Sequence, residues 1–320
     1  MSVVTLSPEV EAELQTYDPV PNKSFASDNP YLQVVWDSTS LGVLKECPWK
    51  YFLSIICGWE SKAPKPALEF GIQYHAAMEL FDKLLAEGAS RNEALKQVVQ
   101  CAGWKGNFVP EGDSSRTQQT LVRTIVWHIE NYSSSKVSTV ILSDGSPAVE
   151  LSFKMPFFSA NGYDFLLAGH IDRLVEYSNS LWFLDYKTTK LSLNPKYFAQ
   201  YTPDNQMDLY TLASQVVFET PCAGGIVDAA QLGVNFTRFK RQEITRTPEQ
   251  IDEWVEDTRL WISLAENFAS IRQWPKNEKS CDKYGGCPFR ESVCSKSPSV
   301  RETFLKTSFK RKVWDPSTSR

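Results

Sequence analysis

The sequence predicts an α/β or α+β domain, a central sheet carrying helical decoration. Three observations predict it. Apolar residues recur at helical spacing through most of the first half, the period shortens to that of strands near Ala148, and helical spacing returns after Pro248.

Residues 1–30 mix Pro, Ser, Asp and Asn without periodicity and read as an N-terminal extension. Ser38 reads as the capping residue of an apolar-periodic stretch (Leu41, Leu44, Tyr51, Phe52, Ile55) expected to run as one helix into the low 50s. After Pro64 and Pro66, a strong helix is expected from about Ala67 to Glu87, ended by Gly88, with two more near 90–102 and 116–132. Val149-Leu151-Phe153 alternates as a strand should. Phe165 to Tyr177 and Leu181 to Lys187 read as two strands joined at Ser178-Asn179-Ser180 into a hairpin. A helix from about Asp204 to Val217, strands near Leu232–Phe239 and Gln242–Thr245, and a helix from Pro248 to about Ile271 complete the order. The expected domain spans 31–297, with a helical insertion near 67–135, followed by a basic tail over 298–320.

A chain of 320 residues that is 42% hydrophobic is long enough to bury a large core. Its 22% charged residues argue against global disorder. No apolar run approaches the roughly 20 residues that span a bilayer, so no membrane partner is expected. Glu9, Glu11 and Glu13 stand where an export signal needs basic and then apolar residues. Seven cysteines, an odd number, fit a reducing cytoplasm better than a disulfide framework, and clustered cysteines then read as metal ligands. The net charge of −4 gives no global case for nucleic-acid binding, but local basic runs exist: Arg238, Lys240 and Arg241, and Lys310-Arg311-Lys312 in the tail. Such patches can follow a phosphate backbone; a solvated tail is the bland alternative for the second.

The chemistry concentrates on the hairpin. Asp185 and Lys187 alternate with Tyr186 and so share a strand face. Asp172, in Gly169-His170-Ile171-Asp172, lies as far from the turn as Asp185 does, so the two carboxylates can converge. Converging carboxylates repel unless a hard cation such as Mg²⁺ neutralises them, and a lysine beside them can orient water or offset charge growing on a phosphate. Asp-x-Lys alone is more often a surface ion pair; with Gly-x-x-Asp upstream the balance moves to a site. His75 and Glu79 fall one turn apart on the helix Gly71-Ile72-Gln73-Tyr74-His75, as do Gln206 and Tyr210 on a later one.

The ordered set Gly-x₃-His-x₃-Glu, Gly-x-x-Asp, Asp-x-Lys, Gln-x₃-Tyr resembles the PD-(D/E)XK nucleases, with the nearest likeness to the RecB-like branch that includes CRISPR-associated and phage exonucleases. The likeness spans about Ser38 to Cys294. It implies a restriction-endonuclease-like fold and a nuclease in which His75, Asp172, Asp185 and the Tyr186 carbonyl would bind Mg²⁺ or Mn²⁺. Lys187 would assist the attacking water, and Gln206 and Tyr210 would hold the substrate or the site. Ile171 stands where the name-giving proline would be, and Asp185 where Glu is commoner. The substrate implied is DNA, single-stranded or at duplex ends, in a bacterial or phage-infected cell, with recombination or replication proteins as partners. A non-catalytic DNA-binding protein, an endonuclease and an RNA-directed nuclease on the same scaffold are the alternatives.

Cys281-x₅-Cys287-x₆-Cys294 is a cluster among turn residues, and three thiols need a fourth to close an iron–sulfur or zinc site. The resemblance nominates Cys47, giving a 4Fe–4S cluster that staples the N-terminal helix to the C-terminal segment, with Zn²⁺ left open. Cys57, Cys101 and Cys222 read as ordinary buried thiols.

Overall fold

A computed structural model describes residues 17–104, 113–218 and 221–318. The chain forms two compact units. One gathers the described parts of Met1–Ala63, Lys154–Gly169 and Asp252–Ser319; the other comprises the described parts of Pro64–Phe153 and His170–Ile251. Each unit is assembled from segments far apart in sequence.

In the first unit, helix α1 (Ser38–Glu46) starts one residue earlier than the sequence indicated. Asp37 is its cap, in a reciprocal capping box with Ser40. The single helix expected into the low 50s is interrupted. Cys47, preceding Pro48, is extended (φ −162°, ψ 111°), as a residue before proline tends to be. A short helix α2 (Pro48–Tyr51) and a π-helical turn (Phe52–Ile56) follow. Two other expectations fail here. Within the first 30 residues, Tyr17, Ser24 and Phe25 are buried rather than loosely held, while residues 1–16 lie outside the described part. The basic stretch read as a tail is folded: helix α9 (Pro298–Ser308) leads into strand β9 (Phe309–Arg311), which pairs antiparallel with β2 (Trp59–Ser61).

The second unit carries the site. Helix α3 (Pro66–Ala86) buries Phe70, Tyr74, Ala77, Met78, Phe81 and Asp82, the i, i+4, i+7, i+8 stripe of an amphipathic helix. With α4 (Arg91–Trp104) and α5 (Gln118–Asn131) it packs on one apolar cluster that includes Val175, Trp182, Leu184 and Tyr186. Strands β4 (Val149–Ala160) and β5 (Tyr163–Tyr177) each begin in one unit and end in the other, and β5 pairs parallel with β1 (Val35–Trp36) and antiparallel with β3 (Ser138–Thr139). Strand β6 (Ser180–Thr189) pairs antiparallel with β5 from Tyr177↔Ser180 to Arg173↔Leu184. The connecting residues Ser178 and Asn179 both have positive φ (52° and 58°), the left-handed pair of a type I′ hairpin turn.

Beyond β6 the sheet becomes mixed. Strand β7 (Cys222–Leu232) runs parallel to β6, and β8 (Thr237–Thr245) antiparallel to β7. Parallel neighbours need a crossover, here made by helices α6 (Pro195–Ala199) and α7 (Asn205–Phe218). The strand expected near Leu232–Phe239 is instead the β7–β8 hairpin tip. Gly233 N–H bonds to Phe236 C=O (2.9 Å), and Val234 and Phe236, whose alternation imitated a strand, are exposed. The last long helix, α8 (Pro248–Ile271), has the expected ends.

Candidate metal-dependent active site

The register places the two aspartates side by side. Arg173↔Leu184 is the last paired position on β5 and β6, so Asp172 and Asp185 are the next residues along the two arms. There the ladder gives way: the Tyr186 N–H bonds to Asp172 Oδ2 (2.9 Å). The same Oδ2 lies 3.1 Å from His75 Nδ1, which α3 brings to the hairpin. His170, two residues before Asp172, has its Nδ1 2.9 Å from Ser152 Oγ instead.

Asp185 is 1% exposed and Lys187 Nζ stands 2.6 Å from its Oδ2. Its Oδ1 is buried without a hydrogen-bond partner. Lys187 Nζ also donates to Gln206 Oε1 (2.8 Å), and Gln206 Nε2 donates to the Tyr210 hydroxyl (3.2 Å). Tyr210 in turn packs edge-on against Phe153 and Phe183. A continuous polar chain Asp185–Lys187–Gln206–Tyr210 therefore runs from β6 to α7.

Charge sharing separates the two aspartates. Burial pushes the Asp185 carboxyl up to about 6; Lys187 opposes this and the neighbouring Asp172 reinforces it. For Asp172, burial is outweighed by His75, Lys187 and the Tyr186 amide, and its pKa falls below the usual range. Burial lowers His75 and Lys187, but the carboxylates more than compensate and both are raised.

Glu79, one turn from His75, turns to Lys83 Nζ instead (2.6 Å) and does not join the group. Among the described residues no three His, Cys, Asp or Glu side chains gather tightly enough to hold a metal ion by themselves. The two aspartates still fit a hard cation. Mg²⁺ needs only one or two protein carboxylates and completes its shell with water and substrate phosphate, and a buried carboxylate oxygen without a hydrogen bond is the donor such an ion requires.

The residues expected to contact DNA differ in availability. Arg238 lies over the Phe236 ring and Lys240 over Phe198. Arg241 is committed elsewhere: its Nε is 2.7 Å from the buried Asp228 Oδ2, and its guanidinium covers Tyr132. Arg311 is likewise structural, donating to the Cys57 and Asp18 carbonyls and stacking on Trp59. Lys310 and Lys312 both approach Glu60, at 3.5 and 3.7 Å, with more than half of each side chain exposed.

All four cysteines of the expected cluster belong to the first unit. Cys47 is buried and its Sγ accepts the Asn277 N–H (3.4 Å); Asn277 Nδ2 also donates to the Glu46 carbonyl (2.9 Å). Cys281, Cys287 and Cys294 are half-buried. Burial raises the Cys287 and Cys294 thiols, Cys294 to about 11, and neighbouring cysteines including Cys47 add to the rise. None of the seven cysteines is in a disulfide, and Cys101, read as buried, is exposed.

One group escaped the sequence reading. Asp82, Arg173, His128, Asp228 and Arg241 form a buried charged layer beneath the site. Its signal was a charge on an otherwise apolar face: Asp82 seven residues after His75 on α3, and Asp228 within Ile226–Ala230.

Among solved structures, the chain is similar to a candidate exonuclease from Eubacterium rectale at 12% identity, with a TM-score of 0.47 over 94% of this chain and 98% of that one. It is also similar to the protein SSO0001 at 12% identity, with a TM-score of 0.33 over 86% and 90%. No curated protein matches. A profile of the PD-(D/E)XK nuclease superfamily matches residues 38–295, four-fifths of the chain. The chain thus belongs to the PD-(D/E)XK nuclease superfamily.

Proposed function

We propose that the protein is a divalent-metal-dependent deoxyribonuclease, acting as an exonuclease on DNA. The observation that carries the reading is the buried Asp185 carboxylate, with one oxygen lacking a hydrogen bond and the other against Lys187, one register step from Asp172. Asp172, Asp185 and the Tyr186 carbonyl would hold Mg²⁺ or Mn²⁺, with His75 as ligand or as orienter of Asp172. When bound, the ion supplies a polarised phosphate, a more acidic water and a stabilised leaving oxygen. The protein's own part is to position. Lys187, fixed between Asp185 and Gln206, presents an ammonium to the attacking water or to the charge growing on the phosphate. The hydrogen bond from Gln206 to the Tyr210 hydroxyl in turn fixes the Gln206 amide that accepts from Lys187. Arg238 and Lys240, with Lys310 and Lys312, are the cations we assign to phosphate contact.

In the first unit we propose a 4Fe–4S cluster on Cys47, Cys281, Cys287 and Cys294. Cys47 and Cys287 both act on the Cys294 thiol, and Cys281 and Cys47 on that of Cys287, which supports a shared site; zinc is the alternative occupant. Lys187→Ala or Asp185→Ala is expected to abolish cleavage while DNA binding persists. Undiminished cleavage by either variant contradicts the assignment.

A further inference from the structure

Resting on that reading of the site, we infer that Asp82 acts as a clamp that fixes the spacing of the Asp172–Asp185 pair, with Tyr186 and Arg173 as positioning residues. Asp82 follows His75 by two turns on α3, so both project from one face of the helix. It is 2% exposed. Its Oδ2 accepts the Tyr186 phenol O–H (2.7 Å), and its Oδ1 pairs with Arg173 Nη1 (2.9 Å). Arg173 is the residue after Asp172, and Tyr186 the residue after Asp185. One carboxylate therefore ties down both arms of the hairpin next to each candidate metal ligand.

Tyr186 couples this clamp to the site through its own backbone. Its ring turns to the α3 side of the sheet and its phenol reaches Asp82, while its N–H holds Asp172 Oδ2. Displacing the ring moves the amide that orients Asp172. Arg173 is fixed in its turn, its Nε donating to Thr139 Oγ1 (2.9 Å).

Stability alone is a poor reason to keep this arrangement. Desolvating a buried ion pair offsets most of its attraction, and apolar residues of like volume often serve as well or better. Burial in fact leaves the Asp82 carboxyl with a raised pKa despite Arg173 and the Tyr186 hydrogen bond. What the charges provide and a hydrocarbon core cannot is direction. Two carboxylates held close without a cation repel, and a fixed second layer stops them from splaying.

The test is Mn²⁺ binding by the full chain, read from the electron paramagnetic resonance of free Mn²⁺. Tyr186→Phe keeps the ring and removes the hydrogen bond. It is expected to weaken Mn²⁺ binding by about 10- to 100-fold, the usual consequence of losing a partner behind a metal ligand, measured at a temperature where the metal-free variant is still folded. Arg173→Lys, which keeps the charge but not the forked reach, is expected to move affinity the same way. Tyr74→Phe is the control, because the Tyr74 hydroxyl is buried in the same cluster without a hydrogen-bond partner; its affinity is expected to stay unchanged. Parent-like affinity in both Tyr186→Phe and Arg173→Lys, or an equal loss in Tyr74→Phe, overturns the clamp. Asp185→Ala separates the two levels: if it binds Mn²⁺ as the parent does, the metal reading itself fails, whatever Tyr186→Phe does.

Discussion

The carboxylate site and the cysteine cluster are both collections of candidate metal ligands, yet they are built in opposite ways. Around Asp172 and Asp185 almost every neighbour is already hydrogen-bonded to another: His75 and the Tyr186 amide to Asp172, Lys187 to Asp185 and Gln206. Around the cysteines, Cys47 accepts the Asn277 N–H and Cys287 is hydrogen-bonded by the Phe289 backbone, but Cys281, Cys287 and Cys294 are only half-buried. A hard, exchangeable cation that must accept substrate phosphate calls for a site shaped beforehand. A soft structural cluster can gather its own ligands, because its binding energy is also folding energy. On the reading proposed above, the contrast separates a centre for chemistry from a centre for architecture.

The strongest way to break that contrast is to remove one ligand from each. Asp185→Ala should lower the cleavage rate by more than about a hundredfold, the scale on which single electrostatic groups act in active sites, while leaving thermal unfolding in chelator near that of the parent. Cys47→Ser should do the reverse, lowering the melting temperature by several degrees, on the order of a structural metal's contribution, with cleavage persisting in the protein that remains folded. If each variant instead damages both properties equally, as judged by calorimetry and a gel assay, the separation of roles fails.

The next largest effect lies beneath the chemical centre. Arg241→Ala leaves Asp228, fully buried, with only His128 at 3.0 Å. Breaking a buried pair of this kind costs about 3 kcal/mol or more, so urea unfolding should shift accordingly. A surface arginine serving only DNA would lose affinity and no stability.

A smaller effect concerns pH, and its sign differs between two aspartates. Asp185 has its folded pKa raised to about 6, so its contribution to stability is complete below the unfolded value near 4 and is lost as pH rises through about 6. Asp228 has a lowered folded pKa, because His128 and Arg241 outweigh its burial; its contribution is present above about 4 and lost only in stronger acid. The metal-free protein should therefore become more stable as pH falls from 7 towards 5. Mn²⁺, by favouring ionised Asp185, should flatten or reverse that slope. Melting curves at stepped pH, with and without Mn²⁺, read it directly.

The smallest effects belong to the exposed cations. Lys240→Ala and Lys310→Ala should each weaken DNA binding uniformly across sequences and reduce the salt dependence of log affinity by about one, measured by fluorescence anisotropy.

The meeting of Asp172, Asp185 and Lys187 was legible because its logic is local. Asp185 and Lys187 are two residues apart on a strand, and the turn at Ser178 and Asn179 counts off Asp172. What escaped was fixed by neighbours. Strand β7 is rich in Ala and Gly, residues with little strand preference, because it is buried along nearly its whole length. A side-chain carbon on Gly225 would lie 2.3 Å from the Phe183 ring, and one on Gly224, where φ is +138°, would lie 2.2 Å from the Ile244 carbonyl oxygen. Such glycines answer a tertiary demand that no periodicity records. The same holds for Asp82 and Arg241, whose partners sit about a hundred residues and thirteen residues away, on Tyr186 and Asp228. Alternation misled at Val234 and Phe236, which imitate a strand at a hairpin tip.

The most direct measurement is to incubate the purified protein with end-labelled single- and double-stranded DNA in Mg²⁺, in Mn²⁺ or in chelator. The account predicts progressive shortening from an end with either ion and none in chelator. Cleavage that proceeds equally well in chelator, or no cleavage with either ion while the DNA stays bound, would contradict it.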